Sequence, residues 1–124
     1  MENEKIQKRT LRFAIKVTKF VFKLSRNYAM RILLDQLLRS GTSVGANMEE
    51  ADSAVSKKDF INKVSISKKE ARETRYWLII LKEAELLDNE DNKRELESLL
   101  GEIGELIKII GAIHSKAKAN KDYN

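Results

Sequence analysis

An all-α fold is predicted by three features of the 124-residue chain. It has no proline and only five glycines, charged residues make up 35% of it, and aromatic residues only 6%. That mix lacks both helix breakers and strand-forming rings. Small and apolar side chains also recur in an unbroken three-four spacing at Leu34, Leu37, Gly41, Val44, Met48, Ala51 and Val55. A row of that period lies along one face of a helix and calls for a second helix against it.

The first helix is placed at residues 3–24. Ile6, Phe13, Val17, Phe20 and Leu24 form one apolar seam; Leu11, Ile15 and Phe22 form a second, with Ala14 and Val21 between. An apolar arc this wide exceeds the stripe of an ordinary surface helix, so the helix is expected to be buried on two sides. The third side carries Lys5, Arg9, Arg12, Lys16, Lys19, Lys23 and Arg26, with no acid after Glu4.

Ser25 to Tyr28 supply turn and capping chemistry. The second helix is placed at residues 29–55, running straight through Gly41-Thr-Ser-Val-Gly-Ala46. Gly41 and Gly45, four apart, share a face where a neighbouring backbone can approach, and each costs ~1 kcal/mol inside a helix. A break near Gly41–Ser43 is the alternative. Ser56-Lys-Lys-Asp59 has the pattern of a capping box and starts a third helix at residues 57–87. Its seam is Phe60, Val64, Ser67, Ala71, Thr74, Leu78 and Leu81.

On roughly the opposite side of that helix Ile66, Tyr76, Trp77 and Ile80 form a patch, read as an oligomer interface because aromatic anchors are frequent there. Asp88-Asn-Glu-Asp-Asn92 caps a fourth helix at residues 91–119, with acids suited to the helix N-terminus and Lys116, Lys118 and Lys121 near its end. Its seam is Leu96, Leu99, Ile103, Leu106, Ile110 and Ile113. Short connections make successive helices antiparallel. One domain spanning residues 1–124 is expected, an up-down-up-down four-helix bundle that assembles as a homo-oligomer.

The net charge of +5 is uneven: residues 1–40 hold ten Lys and Arg against three acids, whereas residues 88–124 are net negative. Positive charge concentrated at one end favours a polyanionic partner. Lys5, Arg9, Arg12, Lys16, Lys19, Lys23 and Arg26 are therefore candidate RNA- or DNA-binding residues. No aromatic interleaves them, which predicts low sequence specificity. A merely solvated face is the competing reading.

Arg39, Asn47, Glu50, Glu70, Arg72, Glu73 and Arg75 lie on or beside helix seams and are read as a structural polar network. Five chemistries find no support. Absence of cysteine excludes disulfides and thiolate sites. The single histidine, His114, cannot supply the Glu-x-x-His pair of a di-metal bundle site. Gly41-Thr-Ser-Val-Gly-Ala46 lacks the Lys of a phosphate-cradling loop. Ser40, Thr42, Ser43 and Ser56 have no activating histidine in a recognisable arrangement. No apolar run approaches the ~18 residues of a membrane span, and the charged start does not read as a secretory signal. A cytoplasmic, non-enzymatic protein without catalytic residues, metal or other cofactor is expected.

The stretch Gln36-Leu-Leu-Arg-Ser-Gly-Thr-Ser-Val-Gly-Ala-Asn-Met-Glu-Glu-Ala51, with Asp59-Phe60 and Lys69-Glu-Ala-Arg-Glu-Thr-Arg-Tyr-Trp-Leu78, resembles the bacterial proteins associated with intervening sequences in 23S ribosomal RNA genes. The resemblance covers the second and third helices. It implies a four-helix protomer in a ring-like homopentamer. A related branch includes the accessory protein of diversity-generating retroelements, a basic pentamer that binds nucleic acid and a reverse transcriptase. Two partner classes follow beyond the chain's own copies: RNA or DNA, or a protein docked on a helical scaffold.

Overall fold

The computed structural model describes residues 5–24 and 26–120. Four helices make up the fold: α1 (Ile6–Lys23), α2 (Tyr28–Asp52), α3 (Lys57–Glu83) and α4 (Glu90–Ala119). No strand occurs among the described residues. Each helix packs against its neighbours in chain order, and α4 closes the bundle against α1.

Three N-termini are capped by the residue types that the sequence offers. Asn27 Oδ1 accepts from Met30 N at 2.9 Å, Ser56 Oγ from Asp59 N at 3.0 Å, and Asn89 Oδ1 from Asn92 N at 3.1 Å. These side chains satisfy amides that the first turn of a helix leaves without a partner. No side-chain hydrogen bond caps α1 at Lys5. Asn3, Glu4, Ser25 and Lys121 lie outside the described residues.

Two helix ends fall short of their sequence-based positions. Helix α2 stops at Asp52, and Val55 stands 93% exposed in the following loop. Helix α3 stops at Glu83 because the chain reverses there without a glycine. Glu85 adopts φ 53°, Glu85 N donates to Lys82 O at 3.1 Å, and Leu86 N donates to Leu81 O at 3.2 Å. This pair of bonds is the Schellman ending, with a glutamate where glycine is usual.

The core joins one face of each helix: Phe13, Val17 and Phe20 from α1, Leu34, Leu37 and Met48 from α2, Val64, Leu78 and Leu81 from α3, and Leu99, Ile103 and Leu106 from α4. Helix α2 runs unbroken through Gly41 and Gly45. A β-carbon on Gly41 would stand 3.1 Å from Val17 Cγ1, and one on Gly45 would stand 3.3 Å from the Thr10 carbonyl carbon. Glycine is used here for close approach of α1 to α2, not for a turn.

Against α3, the contact is polar and fully satisfied. Ser67 Oγ donates to Val44 O at 2.7 Å, and the Thr74 and Ser40 hydroxyls meet at 2.9 Å. Buried hydroxyls without partners would destabilise the bundle, and no such orphan occurs among the described residues.

The second apolar seam of α1 departs from expectation. Leu11, Ile15 and Phe22 are 57%, 47% and 71% exposed. In a single chain α1 is buried on one side, because α2 and α4 both approach the Phe13–Val17–Phe20 face and no other described helix reaches the opposite one.

Candidate functional site

The α1 basic row divides once α4 is in place. Arg9 forms a two-point ion pair with Glu102, Nε to Oε2 at 2.8 Å and Nη2 to Oε1 at 3.0 Å. Lys23 pairs with Glu95. The Glu102 carboxyl is held below its usual range chiefly by the Arg9 hydrogen bond, against the opposing effect of burial, with Lys16 and Arg12 adding attraction. Helix α4 thus supplies the acids that α1 lacks. Lys5, Lys16, Lys19 and Arg26 are exposed, as is Arg12, which has contacts of its own. Together they make a positive edge, partly neutralised from within.

The polar group proposed at the α2–α3 seam separates into parts. Arg39 bridges Glu70 at 3.1 Å and Glu73, and also donates to Gln36 at 3.1 Å. Trp77 Nε1 donates to Glu73 at 3.3 Å, tying the ring to the same cluster. Glu50 instead pairs with Lys63 at 2.9 Å, which raises the Lys63 pKa. Asn47 donates to Ser43 O, one turn earlier in its own helix. Arg72 and Arg75 do not join: both are exposed, on the opposite side of α3, without an ion-pair partner among the described residues. Their positions, two and five residues beyond Glu70, turn them away from Arg39.

Of the patch read as an oligomer interface, Tyr76 is 59% exposed, while Ile66, Trp77 and Ile80 are partly covered. The Tyr76 and Trp77 rings meet edge-on at 5.3 Å. The Thr42 and Ser43 hydroxyls serve the backbone instead of standing as nucleophiles. Thr42 Oγ1 donates to Leu38 O at 2.8 Å, and Ser43 Oγ to Arg39 O at 2.6 Å. No group of three or more metal-ligating side chains occurs among the described residues, and no helix among them is long and apolar enough to cross a membrane.

The sequence reading does not single out Glu95, Glu102, Lys58 or Lys68, and it assigns Arg72 and Arg75 to the polar network. Glu95 and Glu102 are seven apart on α4 and so share its α1 side, a spacing visible in the sequence but silent about which helix it meets. Lys58, Lys68, Arg72 and Arg75 share the α4 side of α3, where residues 41–87 balance eight basic against eight acidic side chains and so conceal a one-sided distribution.

An all-α four-helix protein with a basic first helix and a tightly packed α2–α3 pair is the class that these features define. Residues 2–111 match the 23S rRNA-intervening sequence protein family, and the chain belongs to it. It is also similar to a protein of the S23 ribosomal protein family from Bacteroides thetaiotaomicron, described by its crystal structure as having unknown function. That match has 36% identity and a TM-score of 0.75, covering 89% of this chain and 98% of the other. No curated protein matches the chain.

Proposed function

We propose that this protein is a non-enzymatic, cytoplasmic homo-oligomer that binds RNA or DNA electrostatically, with little preference for sequence. The observation that carries this reading is the exposed α1 edge. Arg12, Lys16 and Lys19 succeed one another at four- and three-residue spacing on it, within a row that continues through Arg9 and Lys23. Phosphates laid along such an edge release counterions, and affinity then falls steeply with salt. Avidity across copies multiplies weak contacts.

Oligomerisation is supported by Leu11, Ile15 and Phe22 on α1 and by Tyr76 on α3, large apolar side chains left open on two different helices. Unlike patches on one protomer suit a head-to-tail ring; five subunits is the number implied by the family resemblance. An up-down-up-down helix order is supported by paired positions that run in opposite chain directions, Val17 with Gly41 but Thr10 with Gly45. The same open apolar residues favour a second reading, a scaffold that docks another protein.

Affinity for an RNA oligonucleotide measured against salt concentration tests the first reading. A steep negative slope, weakened by Arg12→Glu/Lys16→Glu/Lys19→Glu, is expected; a flat slope overturns it. Stoichiometric capture of one protein after nuclease treatment favours the scaffold.

A further inference from the structure

The outer surface between α3 and α4 is built differently from the α1 edge. Lys58, Ser65, Lys68, Arg72 and Arg75 follow a three-four row on α3 and therefore share one side of it. Contacts fix which side that is. Lys82, one turn-pair further along the row, pairs with Glu97 of α4 at 2.8 Å. Lys58 and Ser65 line a groove of about 730 Å³ with His114 and Lys118 of α4.

The facing wall is open. Gly104 and Gly111 lie seven and fourteen residues after Glu97 on the same α4 side, and a β-carbon at either would meet nothing within 4 Å. Lys58, Lys68, Arg72 and Arg75 have no ion-pair partner among the described residues. Asp59 is the acidic member of the groove lining. On α1, by contrast, Glu95 and Glu102 already occupy Lys23 and Arg9. The exposed apolar residues of α1 and α2 lie on other faces, and Tyr76 contacts Trp77 toward α2.

We infer that the α4 side of α3 binds the phosphodiester backbone of a nucleic-acid strand, with Lys58, Lys68, Arg72 and Arg75 as a basic row whose first member, with Lys118, lines the groove beside His114. No aromatic side chain lines the groove around Lys58, His114 and Lys118, which favours contact to backbone over base there. This inference rests on the polyanion reading and names a different surface for it.

His114 gives the groove its own reporter. Burial, with Lys68 and Lys118 nearby, holds the imidazole pKa below its ordinary value. Lys58 and Asp59 face it from α3. A bound phosphate offsets the two lysines and raises that pKa.

The test uses the full chain and a 20-nucleotide oligouridylate. Arg72→Ala/Arg75→Ala is expected to bind at least ~10-fold more weakly and to flatten the log-affinity against log-salt slope by about 1.4, at ~0.7 per lost single-strand phosphate contact. His114 resonances of the unmodified chain should titrate at higher pH with the oligonucleotide present. Unchanged affinity and slope in Arg72→Ala/Arg75→Ala, with loss confined to Lys16→Glu/Lys19→Glu, overturns the groove and leaves the α1 reading standing. Tight binding with an unmoved His114 titration also overturns the groove. No binding by the unmodified chain overturns both.

Discussion

Val17 lies across the backbone of Gly41, with Cγ1 3.1 Å from where a β-carbon would stand, and one turn further along α2 the Thr10 backbone takes the same position over Gly45. Both glycines are buried inside a continuous helix. Their conformational cost, ~1 kcal/mol each, is offset by the approach of α1.

Alanine at Gly45 should therefore destabilise the protein even though it favours helix. The nearest atoms include the Thr10 carbonyl carbon, which cannot rotate aside. Overpacking of this kind costs ~1–3 kcal/mol, against a propensity gain of ~1 kcal/mol. Gly101→Ala, where a β-carbon meets nothing within 4 Å, should do the reverse and stabilise by up to ~1 kcal/mol. Denaturant midpoints of the two variants check the opposite signs.

Glu85→Gly should stabilise the α3 ending. At φ 53° the glutamate sits in the left-handed region that penalises a β-carbon. Relief of about 1 kcal/mol, less the added freedom of glycine in the unfolded chain, should raise the thermal midpoint. A lowered midpoint would show that the Glu85 side chain contributes more than its backbone conformation costs.

The Arg9–Glu102 pair should appear in acid unfolding. Because the folded-state carboxyl titrates below its usual 4.5, stability from this pair is present above that value and is lost as pH falls through the depressed folded pKa. Arg9→Met should cost about 1 kcal/mol at pH 7, the upper range for a partly exposed pair. Its stability should then fall less steeply below pH 4.5 than that of the parent chain.

His114 makes a contribution of opposite chemistry. Its folded pKa lies below the ordinary 6.5, so protonation favours the unfolded chain and stability declines as pH falls through that ordinary value. His114→Gln should remove this component between about pH 7 and 5. Urea midpoints at those two pH values measure it.

Much of the fold was legible because its signals are periodic. The α2 row fixed a helix through Gly41–Ala46, and the Asn27, Ser56 and Asn89 caps came from local chemistry. The α3 ending was not legible: a Schellman turn on Glu85 carries none of the glycine signal that marks such ends. Site residues were harder, since charge counted along the chain does not reveal which faces meet. Arg9 and Arg12 look equivalent in sequence, yet only Arg9 has the two-point bond to Glu102. Arg72 and Arg75 flank Glu73 in sequence but stand on another side of α3, where no carboxylate among the described residues pairs with them.

On the proposed reading, Glu95 and Glu102 occupy places beside α1 that phosphates would take. A polyanion settling on that helix must displace or share these carboxylates before it gains contact with Lys23 and Arg9. Very short oligomers, touching few cations, compete poorly with an acid that never diffuses away. If the α1 edge binds a polyanion as proposed, ligand length becomes a filter there, set by two glutamates that belong to the protein itself.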